Sequence, residues 1–120
     1  GLMAVVRTTG KVNISSDVAM VSGTALTVTG PVASSPVTVK AIHYGVIATA
    51  AGITCGAVSL RDGTTVLWKG FAYLSAANAG ECQTNIFPLD ITYSPTASIN
   101  LLHTNITPAT ASACAAIVWL

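Results

Sequence analysis

Hydrophobic positions along this chain recur with a period of two, and turn residues interrupt them roughly every 8 to 14 positions, which is the signature of short β-strands. Leu26 and Val28 alternate with Ala25, Thr27 and Thr29, and Val37 and Val39 alternate with Thr38 and Lys40. Each of these segments offers one apolar face and one hydroxyl-rich or charged face. From Ala41 to Ile47 the alternation fades and both faces carry apolar groups, a pattern that suits a strand covered by the core on one side and by a neighbour on the other. The clearest local signal is the run from Ala57 to Lys69, where Asp62-Gly63 separates two β-rich stretches and can supply the positive φ of a tight hairpin.

Downstream, Gln83 to Leu89 and Ile91 to Tyr93 read as a strand interrupted or ended near Pro88, because proline is confined to edges, bulges and strand starts. Ser94-Pro95 turns the chain, Ala97 to Thr104 forms the next strand, and Thr107-Pro108 turns it again before a final strand from Ala111 to Leu120. The alanine-rich stretches at Ala48 to Ala51, Ala76 to Ala79 and Ala109 to Ala116 raise the question of helix. They have no charged face, cap or 3.6-residue spacing, so the first two read as loops and the third as a strand of small side chains. The expected fold class is all-β: a single antiparallel β-sandwich, jelly-roll-like, with about eight strands. One domain spans residues 1–120, with 1–13 either an attachment arm or an ordinary first strand.

Charge changes the picture more than length does. Only 8% of the 120 residues are charged and 52% are hydrophobic, the reverse of a disordered composition. A folded monomer of this mass exposes roughly 6,000 Å², and five basic plus four acidic side chains cover about a fifth of that. Either part of the surface is buried in a homo-oligomer or larger assembly, the favoured reading, or a coat of Thr and Ser solvates a monomer. A net charge of +1 builds no basic stripe for phosphate, so nucleic acid is not an expected partner. Nor is a membrane: the uncharged stretches from Val18 to Val39, Ala41 to Leu60 and Ile91 to Leu120 are broken by Pro, Gly, His and hydroxyl residues and offer no spanning helix.

Candidate chemistry is sparse. Asp17, Asp62, Glu81 and Asp90 fall in or beside expected turns, and His43 and His103 fall within strands at no ligand spacing, so no catalytic residues, no metal site and no cofactor are expected. Cys55, Cys82 and Cys114 lack a Cys-x-x-Cys pair; one disulfide with a free thiol and three small buried thiols both remain open. Trp68 shares an expected face with Val66, and Phe87 shares one with Ile91 and Tyr93, as core aromatics would. A glycan-binding module is the alternative, with an exposed Tyr44 or Tyr73 as its first candidates.

The run from Ala57 to Trp68, followed by Asn85-Ile86-Phe87-Pro88-Leu89 and Ser98-Ile99-Asn100-Leu101, resembles small β-sandwich proteins of tailed-bacteriophage virions, such as head decoration or cement proteins and fibre knobs. That resemblance implies a non-enzymatic virion protein, a symmetric homo-oligomer with a trimer favoured, and the major capsid protein or another virion protein as partner. It carries over no binding residues. The candidate attachment segment comes from the residues themselves: the apolar start containing Leu2 and Val5, followed by the basic Arg7 and Lys11, could pair as an added strand, with its charges setting register.

Overall fold

The computed structural model describes residues 11–14, 18–20, 25–32, 35–94, 96–107 and 111–120. Nine strands run through them: β1 (Lys11–Ile14), β2 (Val18–Met20), β3 (Ala25–Thr29), β4 (Val37–Ala48), β5 (Gly52–Asp62), β6 (Thr65–Ala77), β7 (Cys82–Tyr93), β8 (Ile99–Thr107) and β9 (Ala111–Trp119). β1 and β2 both pair with β9, one at each end, with Lys11 opposite Trp119 and Met20 opposite Ala111. They therefore occupy one lane, and counting that lane once gives the expected eight strands.

All pairings are antiparallel, and they fall into two sheets. Sheet A has the order β1/β2, β9, β4, β7, and sheet B the order β3, β8, β5, β6. The first lane pairs with the last strand, β3 with β8, β4 with β7, and β5 with β6. A long hairpin of four successive pairs has thus been rolled over so that its two halves face each other, which is the jelly roll.

The interior lies between the sheets. Ile42, Tyr44, Val39 and Ile117 from sheet A meet Val58, Leu60 and Leu101 from sheet B, all fully buried. Burying an aliphatic side chain of this size contributes about 1.5 to 3 kcal/mol, so this layer is the main source of stability. Alternation fades after Val39 for a local reason. Against β9 the register slips between Val39 and Ala41 with Lys40 as the extra residue of a bulge, and against β7 the extra residue lies on β7, where Leu89 and Asp90 stand opposite Lys40. The inward set then resumes at Ile42, Tyr44, Val46 and Ala48.

The hairpin forms where the sequence places it. Asp62 pairs with Thr65, so Gly63 and Thr64 are the central residues, and Gly63 takes φ 59 at a position where any β-branched residue is strained. Asp62 extends the turn by accepting a hydrogen bond from the Ser98 N–H at 2.9 Å.

Four expectations are corrected. β7 runs unbroken through Pro88, which is tolerated because β7 is an edge strand of sheet A among the described residues. Val66 and Trp68 do not share a face: the register slips so that Leu60 pairs with Trp68 and Arg61 with Val66, leaving Val66 exposed while Trp68 packs on the core. Tyr44 is fully buried rather than a surface candidate. The cysteines are neither bonded nor buried: Cys55 is half-buried, and Cys82 and Cys114 are exposed.

Candidate functional site

The attachment residues Leu2, Val5 and Arg7 lie outside the described residues. Lys11 opens β1, exposed, with its Nζ 4.9 Å from the centroid of the Trp119 ring, a cation–π contact that ties this lane to β9. No group of three or more His, Cys, Asp or Glu side chains converges on a metal-sized site among the described residues. Within those residues, no helix is long and apolar enough to cross a membrane.

Among the described residues, a buried side-chain hydrogen bond joins the two sheets. The Tyr44 hydroxyl of β4 and His103 Nδ1 of β8 share a hydrogen bond of 2.5 Å, with ring centroids 5.2 Å apart. Burial pushes the Tyr44 phenol well above its ordinary range, with Cys55 adding to the shift, and burial lowers His103. Both are neutral near pH 7, so the sheets are clamped without a charge in the core. His103 Nε2 has no hydrogen-bond partner. This pair is structural: it is sealed from solvent and no described cavity opens onto it.

The two broad outer faces of the sandwich differ. On the outer face of sheet B, Arg61, Lys69, Ser59, Thr104 and Thr27 alternate with the buried set. Ile53 and Val66 are also exposed on this sheet, and two aromatics stand out among its apolar residues, Phe71 at 51% and Tyr73 at 62% exposure. They point outward from β6, and Lys69 Nζ lies 5.5 Å from the Phe71 ring centroid.

The outer face of sheet A carries no charge across its centre. Its cross-strand rows read Val118, Ala41, Pro88; then Ala116, His43, Ile86; then Cys114, Gly45, Thr84; then Ser112, Ile47, Cys82. Ile86 is 60% exposed and Ile47 41%. At its rim, Lys40 pairs with Asp90 at 3.1 Å, both exposed, a contact of little energetic weight. A depression sinks into the centre over Gly45. Its two lobes, about 140 Å³ and about 240 Å³, share Gly45, Thr84 and Cys114.

No protein-family model matches the chain, and no curated protein does. Among solved structures, the chain is similar to a CBM4 module at 13% identity and TM-score 0.46, covering 88% of this chain and 82% of that one. It is similar to the coat of infectious bursal virus T=1 particles at 14% identity and TM-score 0.42, covering 92% of this chain but only 30% of the viral one. A third similarity is to the virus-like particle of Macrobrachium rosenbergii extra small virus, at 15% identity and TM-score 0.32, covering 99% and 84%. The fold assignment rests on strand order, and these likenesses add no functional argument to it.

Sequence reasoning missed Gly45, Ile86 and Cys114 as surface features. The available signal was the doubly apolar run from Ala41 to Ile47, whose outward Ala41, His43 and Gly45 are half-buried and Ile47 exposed among the described residues.

Proposed function

We propose that this chain is a non-enzymatic structural protein of a virion, a capsid decoration protein that stabilises a phage head as a symmetric homo-oligomer. The observation that carries this reading is a closed jelly roll whose outer sheet-A face is broad, apolar and uncharged at its centre, a surface suited to burial in an assembly. The phage setting and a trimer come from the resemblance of the Ala57 to Leu101 motifs. Attachment is assigned to the amino-terminal segment bearing Leu2, Val5, Arg7 and Lys11, acting as an added strand against the coat.

The test is stoichiometry in purified particles. A decoration protein is present at a fixed ratio to the major coat protein, and removing residues 1–10 leaves a folded protein that no longer binds particles lacking it. Full occupancy by the truncated chain refutes the attachment role, and absence of the chain from particles refutes the virion role.

A second reading has one observation in its favour, the exposed Phe71 and Tyr73 with Lys69 on the same face of β6. Such a strip suits the apolar face and hydroxyls of a glycan. Binding of an oligosaccharide that is lost in Tyr73→Ala would favour it over the structural role.

A further inference from the structure

We infer that the outer face of sheet A is the contact between two copies of this chain, with the exposed Ile86 of each copy seated in the depression over Gly45 of the other. The inference deepens the structural reading above by naming its partner surface, and it rests on that reading only for its biological setting.

The first observation is the glycine itself. Glycine within a strand weakens it and marks a place where something approaches closely. A Cβ built at Gly45 lies 3.5 Å from Thr84 Oγ1, 3.7 Å from Cys114 Sγ and 3.9 Å from the Gln83 carbonyl oxygen. These are ordinary van der Waals distances, so nothing among the described residues requires glycine here. The backbone does not require it either, since Gly45 is not among the glycines with positive φ.

The second observation is that the face carries its own complement. Ile86 is 60% exposed on β7, one cross-strand row from Gly45 and on the neighbouring strand. The larger lobe of the depression, about 240 Å³, has room for a branched aliphatic side chain. A twofold axis lying between the facing sheets, midway between Ile86 and the depression, seats both knobs in both hollows at once. That is the isologous arrangement.

Area and charge fit the same occupant. From Ala41 to Ile47 the face is roughly 20 Å long, and four strands make it about 19 Å wide. That footprint is roughly 400 Å² per copy, or roughly 800 Å² across the pair, the size of a weak contact that forms at micromolar concentrations. Because the centre of the face is uncharged, a second copy meets it without like-charge repulsion, and the Lys40–Asp90 pairs stay at the rim.

The experiment is sedimentation velocity on the purified chain from 1 to 100 µM, with thermal unfolding of each variant as the control. Wild type is expected to form an even-numbered oligomer at tens of micromolar, a dimer or two trimers joined through this face, and an isolated trimer overturns the inference. Gly45→Leu, which fills the hollow, should weaken association at least 100-fold while its melting temperature, read at monomeric concentration, stays at or above that of wild type. Ile86→Lys should do the same from the other side, which keeps the test sharp should Gly45→Leu fold poorly. Association within threefold of wild type in either folded variant overturns the inference, and so does a wild-type monomer at 100 µM, even one that binds particles through this face. Pairing that survives both substitutions leaves the virion role standing. Pairing lost in both, with no chain found in particles, removes the virion role and leaves the contact.

Discussion

Gly70 and Gly45 both interrupt strands, one in each sheet, and the space each opens is used differently. Gly70 lies on the inner face of β6, where a Cβ would meet Trp68 Cη2 at 2.5 Å and Phe87 Cζ at 3.1 Å. Its missing side chain lets the Trp68 indole lie along the strand and meet Phe87 edge-on, with centroids 4.9 Å apart, closing the side of the sandwich between β6 and β7. Gly45 opens a space on the outer face of sheet A that, among the described residues, the Thr84 and Cys114 side chains flank without filling. The interior is completed by the chain alone, whereas the outer face of sheet A is left incomplete. That contrast locates self-sufficient packing in one region and association in the other.

The largest expected effect breaks the comparison from the Gly70 side. Gly70→Val forces the Trp68–Phe87 pair apart and should cost about 2 kcal/mol or more, since overpacking is strongly resisted where rings are already in contact. Urea unfolding is the measurement, and a neutral result would show that the seam between β6 and β7 is loose. Next in size is Tyr44→Phe, which leaves His103 Nδ1 without its partner and should cost about 1 to 3 kcal/mol. An unchanged urea midpoint would mean that the clamp between the sheets contributes nothing.

The same clamp has a pH dependence with a definite sign. Burial holds the His103 pKa below its ordinary value, while in the unfolded chain it titrates near about 6.5. As pH falls through that value the unfolded chain takes up the proton first, so stability present above about pH 7 is lost on acidification toward the lower folded-state value. In the Gly45→Leu background, unfolding midpoints at pH 7.5 and 5.5 should differ, and His103→Phe should flatten this part of the difference. An equal slope in both proteins would assign the acid sensitivity elsewhere.

Smaller still is Gly63→Val, at just over about 1 kcal/mol, because valine at the φ of 59 seen there is strained. The smallest effect returns to the other glycine: Gly45→Ala should leave the monomer unchanged or stabilise it by up to about 1 kcal/mol. Destabilisation by Gly45→Ala would show that the hollow serves the chain's own fold.

Much of the fold was legible because it is written in alternation. Val37 and Val39, Val28, and the pair Phe87 and Tyr93 all point inward as their spacing requires, and Asp62-Gly63 marked its hairpin. What the pattern could not show was where a bulge reverses it. The extra residues at Lys40 against β9 and at Leu67 against β5 change which neighbours share a face, and the second puts Val66 outside while Trp68 stays in. Pairing across the sandwich was equally hidden, since Tyr44 and His103 stand 59 residues apart and nothing local to either predicts that they meet. The candidate surface was half legible: the run from Ala41 to Ile47 announced two apolar faces, but the hollow over Gly45 exists only when Thr84 and Cys114 arrive from β7 and β9.

Alkylation of the native thiols as a function of protein concentration tests the central claim most directly. Cys114 is exposed on the outer face of sheet A and lines the hollow, while Cys55, half-buried, belongs to sheet B. Mass spectrometry of the labelled chain should show Cys114 reacting readily at 1 µM and at least tenfold more slowly at 100 µM, with Cys55 unchanged between the two. Equal reactivity of Cys114 at both concentrations would contradict the claim that a second copy covers this face.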